Sequence, residues 1–173
     1  MFYESYQRLL SFFELGGPVL YAILVAAFLL WFLILERFFF FWFQYPRLRQ
    51  VTIERWSKVP EKRSWKAQKI RQSILSQVHQ RLSQNVHLIQ TVIAVCPFLG
   101  IVGTVTGMIA VFDVISFLGT GNARAMASGI ARATLPTLAG LVTAISGLYF
   151  ASRLKFLAEK YTDRVSDELI NEG

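Results

Sequence analysis

Four polar residues lie in stretches otherwise apolar enough for a membrane interior: Thr104, Asp113, Arg132 and Thr137. A threonine hydroxyl in such a place hydrogen-bonds the carbonyl one turn back on its own helix or serves a neighbouring helix or water path. From spacing alone the two uses stand equally open. An arginine in an apolar helix needs a partner, and the only carboxylate in the same two stretches is Asp113, which leads us to expect an ion pair between Asp113 and Arg132. Arginine does not titrate in proteins, so Arg132 itself is excluded as a proton carrier. Pro97 and Pro136 each remove a helical hydrogen bond and are expected to kink their helices, Pro136 by freeing the carbonyl of Arg132.

These residues need helices long enough to place them at depth. The chain has 173 residues, 54% hydrophobic and 14% aromatic, and its apolar residues fall into three runs. Each reaches the roughly 20 residues needed to cross ~30 Å of hydrocarbon, the third with more polar interruptions than the others. We expect an all-α membrane protein with three transmembrane helices and long cytoplasmic helical extensions, assembled as a ring-like oligomer. The expected divisions are a short outer amphipathic segment at 1–16, transmembrane helices at 17–43, 89–118 and 127–151, and a basic cytoplasmic loop and helix at 44–88. A short periplasmic link at 119–126 and a cytoplasmic tail helix at 152–173 complete them. Gly16-Gly17-Pro18 should break and restart the first helix. From residue 61 to 96 there is neither glycine nor proline, so the cytoplasmic helix should run unbroken into the second span. Ile70, Ile74, Val78, Leu82, Val86 and Ile89 mark one of its faces, and Leu154, Leu157, Tyr161, Val165 and Leu169 a matching face on the tail. The simplest arrangement packs one against the other.

The net charge is +7, and its placement gives the topology. Ten arginines and lysines lie between residues 44 and 88, opposed by Glu54 and Glu61. Basic loops remain cytoplasmic, which places the N-terminus outside and the C-terminus inside. The charge is read as a topology signal with contacts to lipid headgroups, and no nucleic-acid partner is expected. Glu36 and Arg37, adjacent at the inner boundary, read as a local interfacial pair. His79 and His87 have no acidic or cysteine companion near them, so no metal site is expected. The single cysteine, Cys96, reads as a packed apolar residue. There is no nucleophile–base set and no phosphate loop, so neither enzymatic activity nor a cofactor is expected.

The second and third runs differ from the first in a stripe of small residues. Gly100, Gly103 and Gly107 recur at steps of three and four, and Gly129, Gly140 and Gly147 stand on a comparable line with Ala133 and Ala144. Helices in a membrane associate where small residues let backbones approach, so these glycines are read as helix-packing positions. The first run, bulky and aromatic, suits lipid.

The motifs "PFLGIVGTVTGMIAVF" and "GIARATLPTLAGLVTAISGLYF" resemble the ExbB/TolQ/MotA proton-channel family, most of all a compact ExbB. The resemblance covers about residues 97 to 150. It implies a homo-pentamer in the bacterial inner membrane whose second and third helices line a lumen. That lumen would hold helices of an ExbD-like protein, with a TonB-like protein joining the complex, and proton flow would energise transport across the outer membrane. Thr104 and Thr137 match lumen-facing threonines of the family. Arg132 departs from it, standing where many members carry glutamate, as do Ser146 and Phe150. A TolQ-like subunit, a flagellar-stator-like subunit and a non-conducting membrane scaffold are the alternatives; the stator reading would need a fourth span.

Overall fold

In the computed structural model the backbone is described at residues 2–59, 64–118 and 123–171. Part of the expected link at 119–126 lies outside the described residues, as do the side chains of Arg8 and Arg124. The chain is all-helical where described: α1 (Phe2–Phe43), α2 (Tyr45–Ser57), α3 (Trp65–Ser83), α4 (Val86–Leu118) and α5 (Ala123–Asn171). Three stretches, at Gly16–Phe43, Trp65–Phe117 and Met126–Ile170, are long and apolar enough to cross a membrane. Helix α5 has 49 residues. At ~1.5 Å rise per residue it is roughly 70 Å long, over twice the hydrocarbon thickness.

Helix α1 is two helices joined at a kink. Gly17 sits at φ 68°, ψ −168°, and Pro18 opens the second segment. Only glycine adopts that backbone without strain, and proline is preorganised for a first helical turn.

The expectation of an unbroken helix from residue 61 to 96 is corrected. Helix α3 ends at Ser83, and Asn85 adopts the left-handed conformation at φ 63° before α4 begins. Asparagine tolerates this backbone better than other side chains with a Cβ. Its carbonyl accepts the Ile89 amide at 3.0 Å, and its side-chain amide donates to a Glu36 carboxylate oxygen at 3.3 Å. A helix can therefore end without glycine or proline where a tertiary partner holds the alternative. Helix α2 lies where the sequence indicates only the loop part of the basic cytoplasmic loop and helix at 44–88.

The chain divides into two compact units. The first comprises residues 1–31 and 91–148. Leu20, Ile23 and Leu30 of α1 are buried in it, with Ile93, Cys96 and Val111 of α4 and Ala133, Pro136 and Ala144 of α5. Its outward faces carry Val25, Phe28, Ile101, Val105, Ile109, Phe112, Val142 and Ile145, all exposed. A soluble monomer rarely exposes so continuous an apolar surface, whereas lipid or neighbouring helices cover it naturally.

The second unit comprises residues 32–90 and 149–173. Here the two predicted stripes are largely inside: Val78, Leu82, Val86 and Ile89 on one side, Leu154, Val165 and Leu169 on the other. Ile70 is exposed, at the far end of the stripe. The tail also packs on elements the sequence reading did not pair with it. Tyr161 stacks on Phe41, with ring centroids 5.8 Å apart, and meets Tyr45 at 4.1 Å. The Arg71 guanidinium donates to the Ser166 hydroxyl at 3.2 Å. Arg49 grips Glu168 with two nitrogens, at 2.7 to 3.0 Å.

Candidate functional site: the α4–α5 seam

Helices α4 and α5 run antiparallel and meet along their small residues, with contacts advancing in opposite directions on the two. A methyl group built on Gly140 would stand 2.5 Å from the Cys96 carbonyl oxygen, one on Gly100 2.8 Å from the Thr137 Cα, and one on Gly107 2.6 Å from the Ala133 Cα. One on Gly103 would collide with the Pro136 ring, and one on Gly129 with Val111. On Gly147 it would meet side chains instead, Leu30 Cδ2 at 2.6 Å and Ile93 Cγ1 at 2.9 Å. Backbone approach of this kind leaves no space for a Cβ along most of the seam. It places dispersion contacts where a lipid tail offers no competing advantage.

Pro136 is buried against Gly103 inside the continuous α5, and Pro97 lies inside the continuous α4. Each proline lacks the amide hydrogen with which its helix would bond the carbonyl four residues back, that of Ile93 for Pro97 and that of Arg132 for Pro136.

The two singled-out threonines differ. Thr137 donates its hydroxyl across the seam to the Gly100 carbonyl at 2.8 Å and is half-buried. Thr104, also half-buried, donates to the Ile101 carbonyl of its own helix at 2.7 Å. Thr106, Thr134 and Thr143 likewise bond carbonyls of their own helices. Thr137 is thus a cross-helix tie, a use that spacing did not single out.

Asp113 and Arg132 are both exposed in the single chain. With Gly107 against Ala133 and Gly129 against Val111, Asp113 lies about five residues along the seam from the level of Arg132. At ~1.5 Å per residue this is roughly 7.5 Å, within the length of an arginine side chain but not a level pairing. Arg132 also lines a cavity of about 370 Å³ with Gly16, Gly17, Gly103, Gly107, Val111 and Ser128. The cavity walls are mostly apolar, so Arg132 provides its positive charge. Asp113 is the only carboxylate between residues 86 and 151. Threonine hydroxyls can pass or orient a proton but cannot hold one at neutral pH.

In the second unit Glu36 and Arg37 form a larger knot than a local pair. Arg37 is 1% exposed. Its guanidinium lies 3.7 Å from Glu36, donates to the Arg81 carbonyl at 3.4 Å and stands 4.8 Å from the Phe40 ring centroid. Its Nε has no hydrogen-bond partner. The charge faces the carboxyl end of α3, where helix carbonyls favour a cation. The sequence signal for this burial was the arginine's position in "ILERFFFF", with apolar residues on both sides.

Among the described residues there is no cluster of three or more histidine, cysteine, aspartate or glutamate side chains able to hold a metal.

Three apolar helices, two of them joined by a glycine seam carrying threonine, arginine and proline, define a polytopic membrane protein with polar groups at helix contacts. The chain matches the MotA/TolQ/ExbB proton channel family over residues 33–167, and it belongs to that family. It is 41% identical over 71 residues to a putative ExbB-like biopolymer transport protein of Synechocystis sp., which is 39% of this chain and 28% of that protein. It is 29% identical over 92 residues to the biopolymer transport protein ExbB of Aquifex aeolicus, 53% of this chain and 60% of that protein. The chain thus spans less than two thirds of the curated relatives it matches. No solved structure matches it.

Proposed function

We propose that this chain is an ExbB-like subunit of an ion-motive-force motor in the bacterial inner membrane, with its N-terminus periplasmic and its C-terminus cytoplasmic. Several copies, five by resemblance, surround helices of an ExbD-like partner. Proton flow through that assembly energises a TonB-like protein and, through it, transport across the outer membrane. The observation that carries the reading is the α4–α5 seam. It is a glycine-packed helix pair bearing Thr104, Thr137, Arg132 and Pro136 in a chain of a proton-channel family. Nothing in this seam stores a proton near mid-membrane. The carrier is therefore a carboxylate on the partner, and this chain supplies a rigid, hydroxyl-bearing wall.

The role of Thr104 follows from its geometry. Its hydroxyl hydrogen is engaged with its own helix, and its oxygen lone pairs accept from water or from the partner's carboxylic acid. Thr137 positions the seam through Gly100. Arg132 and Asp113 form an ion pair within one subunit or across an interface, close to the outer ends of the two spans.

The test is proton flux into liposomes containing the chain co-purified with its partner, under an imposed pH gradient. Flux that needs both proteins and the partner's carboxylate supports the motor reading. An assembled complex without flux supports the scaffold alternative. Reversing the charges at Asp113 and Arg132 singly and together tests the pair: recovery in the double variant supports it, and additive damage removes it.

A further inference from the structure

The knot around Arg37 borders a second feature, where α1 passes into α2. A cavity of about 300 Å³ is lined by Phe40, Gln44, Arg47, Leu48, Val51 and Arg81. Among the described residues its walls hold two arginines from different helices and no carboxylate. Neither side chain has a hydrogen bond or ion pair among the described residues. Among the described residues of this unit Glu36 is paired with Arg37, Glu54 with Lys58 at 2.7 Å, and Glu168 with Arg49. Arg81 also lines a smaller neighbouring cavity with Arg55. Like charges around one cavity repel, and an anion placed between them removes the repulsion and takes up their donors.

The position selects the anion. Phe40 and Gln44 bracket the end of the first apolar stretch, Gly16–Phe43. Immediately beside the cavity in the chain, Trp42 is 81% and Phe43 65% exposed. Exposed aromatics at the end of a span mark the headgroup level. A soluble anion would need no span end, whereas a lipid places its phosphate among the arginines and its glycerol and upper acyl chain along the Phe40 ring that lines the cavity.

We propose that Arg47 and Arg81 form a binding site for the phosphate of one anionic phospholipid in the leaflet where α1 ends. The lipid bridges α1, α2 and α3 at the point where Arg37 already joins α1 to the end of α3. The site stands independently of the transport reading, since it requires only that α1 cross the membrane.

The experiment uses the full-length protein purified in a neutral detergent. It is titrated with dioleoylphosphatidylglycerol, with dioleoylphosphatidylcholine and with inorganic phosphate, and bound lipid is counted by native mass spectrometry. At roughly fivefold per arginine near a membrane surface, the double variant Arg47→Gln with Arg81→Gln should bind phosphatidylglycerol roughly 30-fold more weakly. The double lysine variant, Arg47→Lys with Arg81→Lys, keeps the charge and should recover most of the affinity. Loss of binding in the lysine variant as well, with an unchanged circular dichroism spectrum, overturns the site as a charge-based phosphate cradle. The pair Lys155→Gln and Lys160→Gln removes equal charge from an exposed face of the tail and should leave binding unchanged. The proposal is overturned if this control weakens binding as much as the arginine pair does. It is also overturned if phosphatidylcholine binds as well as phosphatidylglycerol, or if millimolar inorganic phosphate displaces the lipid, which would make the site one for a soluble anion.

Discussion

Adding one methyl group at Gly140 should loosen the α4–α5 seam, and the same methyl at Gly147 should disturb the packing less. At Gly140 the new carbon stands 2.5 Å from the Cys96 carbonyl oxygen and 3.4 Å from the Gly100 Cα. Both are backbone atoms, so relief requires the helices to part by most of an ångström. A gap of that size forfeits a quarter to a half of each affected contact, and overpacking of this kind costs about 1–3 kcal/mol. Parting the helices also lengthens the 2.8 Å bond from Thr137 to the Gly100 carbonyl, adding about 0.6 kcal/mol, the average for cross-helix bonds in membranes, and about 1.7 at most. Against this, alanine is favoured over glycine in a helix by about 1 kcal/mol. The net expectation for Gly140→Ala is a destabilisation of about 1–3 kcal/mol. At Gly147 the obstructing atoms belong to side chains, Leu30 Cδ2 and Ile93 Cγ1, both buried. Side chains yield by small shifts where backbone cannot, and the helix preference offsets part of the cost, so the net change should be smaller than at Gly140, about 1 kcal/mol or less. Both variants are measured by reversible unfolding in detergent micelles, with oligomer size followed alongside. Equal effects at the two positions would refute the distinction between backbone and side-chain obstruction, and a neutral Gly140→Ala would refute the close approach itself.

Three further outcomes follow from the geometry. Thr137→Val should destabilise by about 0.6–1.7 kcal/mol through its lost bond to Gly100, whereas Thr104→Val should leave unfolding unchanged; loss of proton flux in an intact Thr104→Val assembly would then report on the ion path. Asn85→Gly should be tolerated and Asn85→Val should cost about 1–2 kcal/mol or more, since a β-branched side chain resists the left-handed backbone; equal unfolding midpoints would contradict the helix break. Burial, then the Glu168 carboxylate, pushes the Tyr45 phenol above its ordinary value. Stability from this group is fully present below the unfolded phenol's range and is lost as pH rises through the higher folded value. Stability of the wild type should therefore fall on strong alkalinisation more steeply than that of Tyr45→Phe, as followed by tyrosinate absorbance and unfolding.

Much of the architecture was legible in the chain because it rests on sums over neighbouring residues. Hydropathy over about 20 positions decides whether a helix crosses a membrane, and three such stretches stood out. The Gly17–Pro18 break was equally local, as one residue permits positive φ and the next prefers a helix start. The glycine stripes announced close contact because lipid gives bulky residues no reason to leave a helix face bare. Other features required a partner that spacing alone does not name. The Thr137 hydroxyl reaches Gly100, 37 residues away, while Thr104, similar in type and surroundings, bonds its own helix. Asn85 ends a helix in a stretch free of glycine and proline because Glu36, 49 residues earlier, receives its amide. Arg37 is buried because the end of α3 and the Phe40 ring receive its charge, although the sequence reads it as a local interfacial pair with Glu36. Burial and side-chain bonding depend on what distant segments bring to the same point, and only the packed helices decide that.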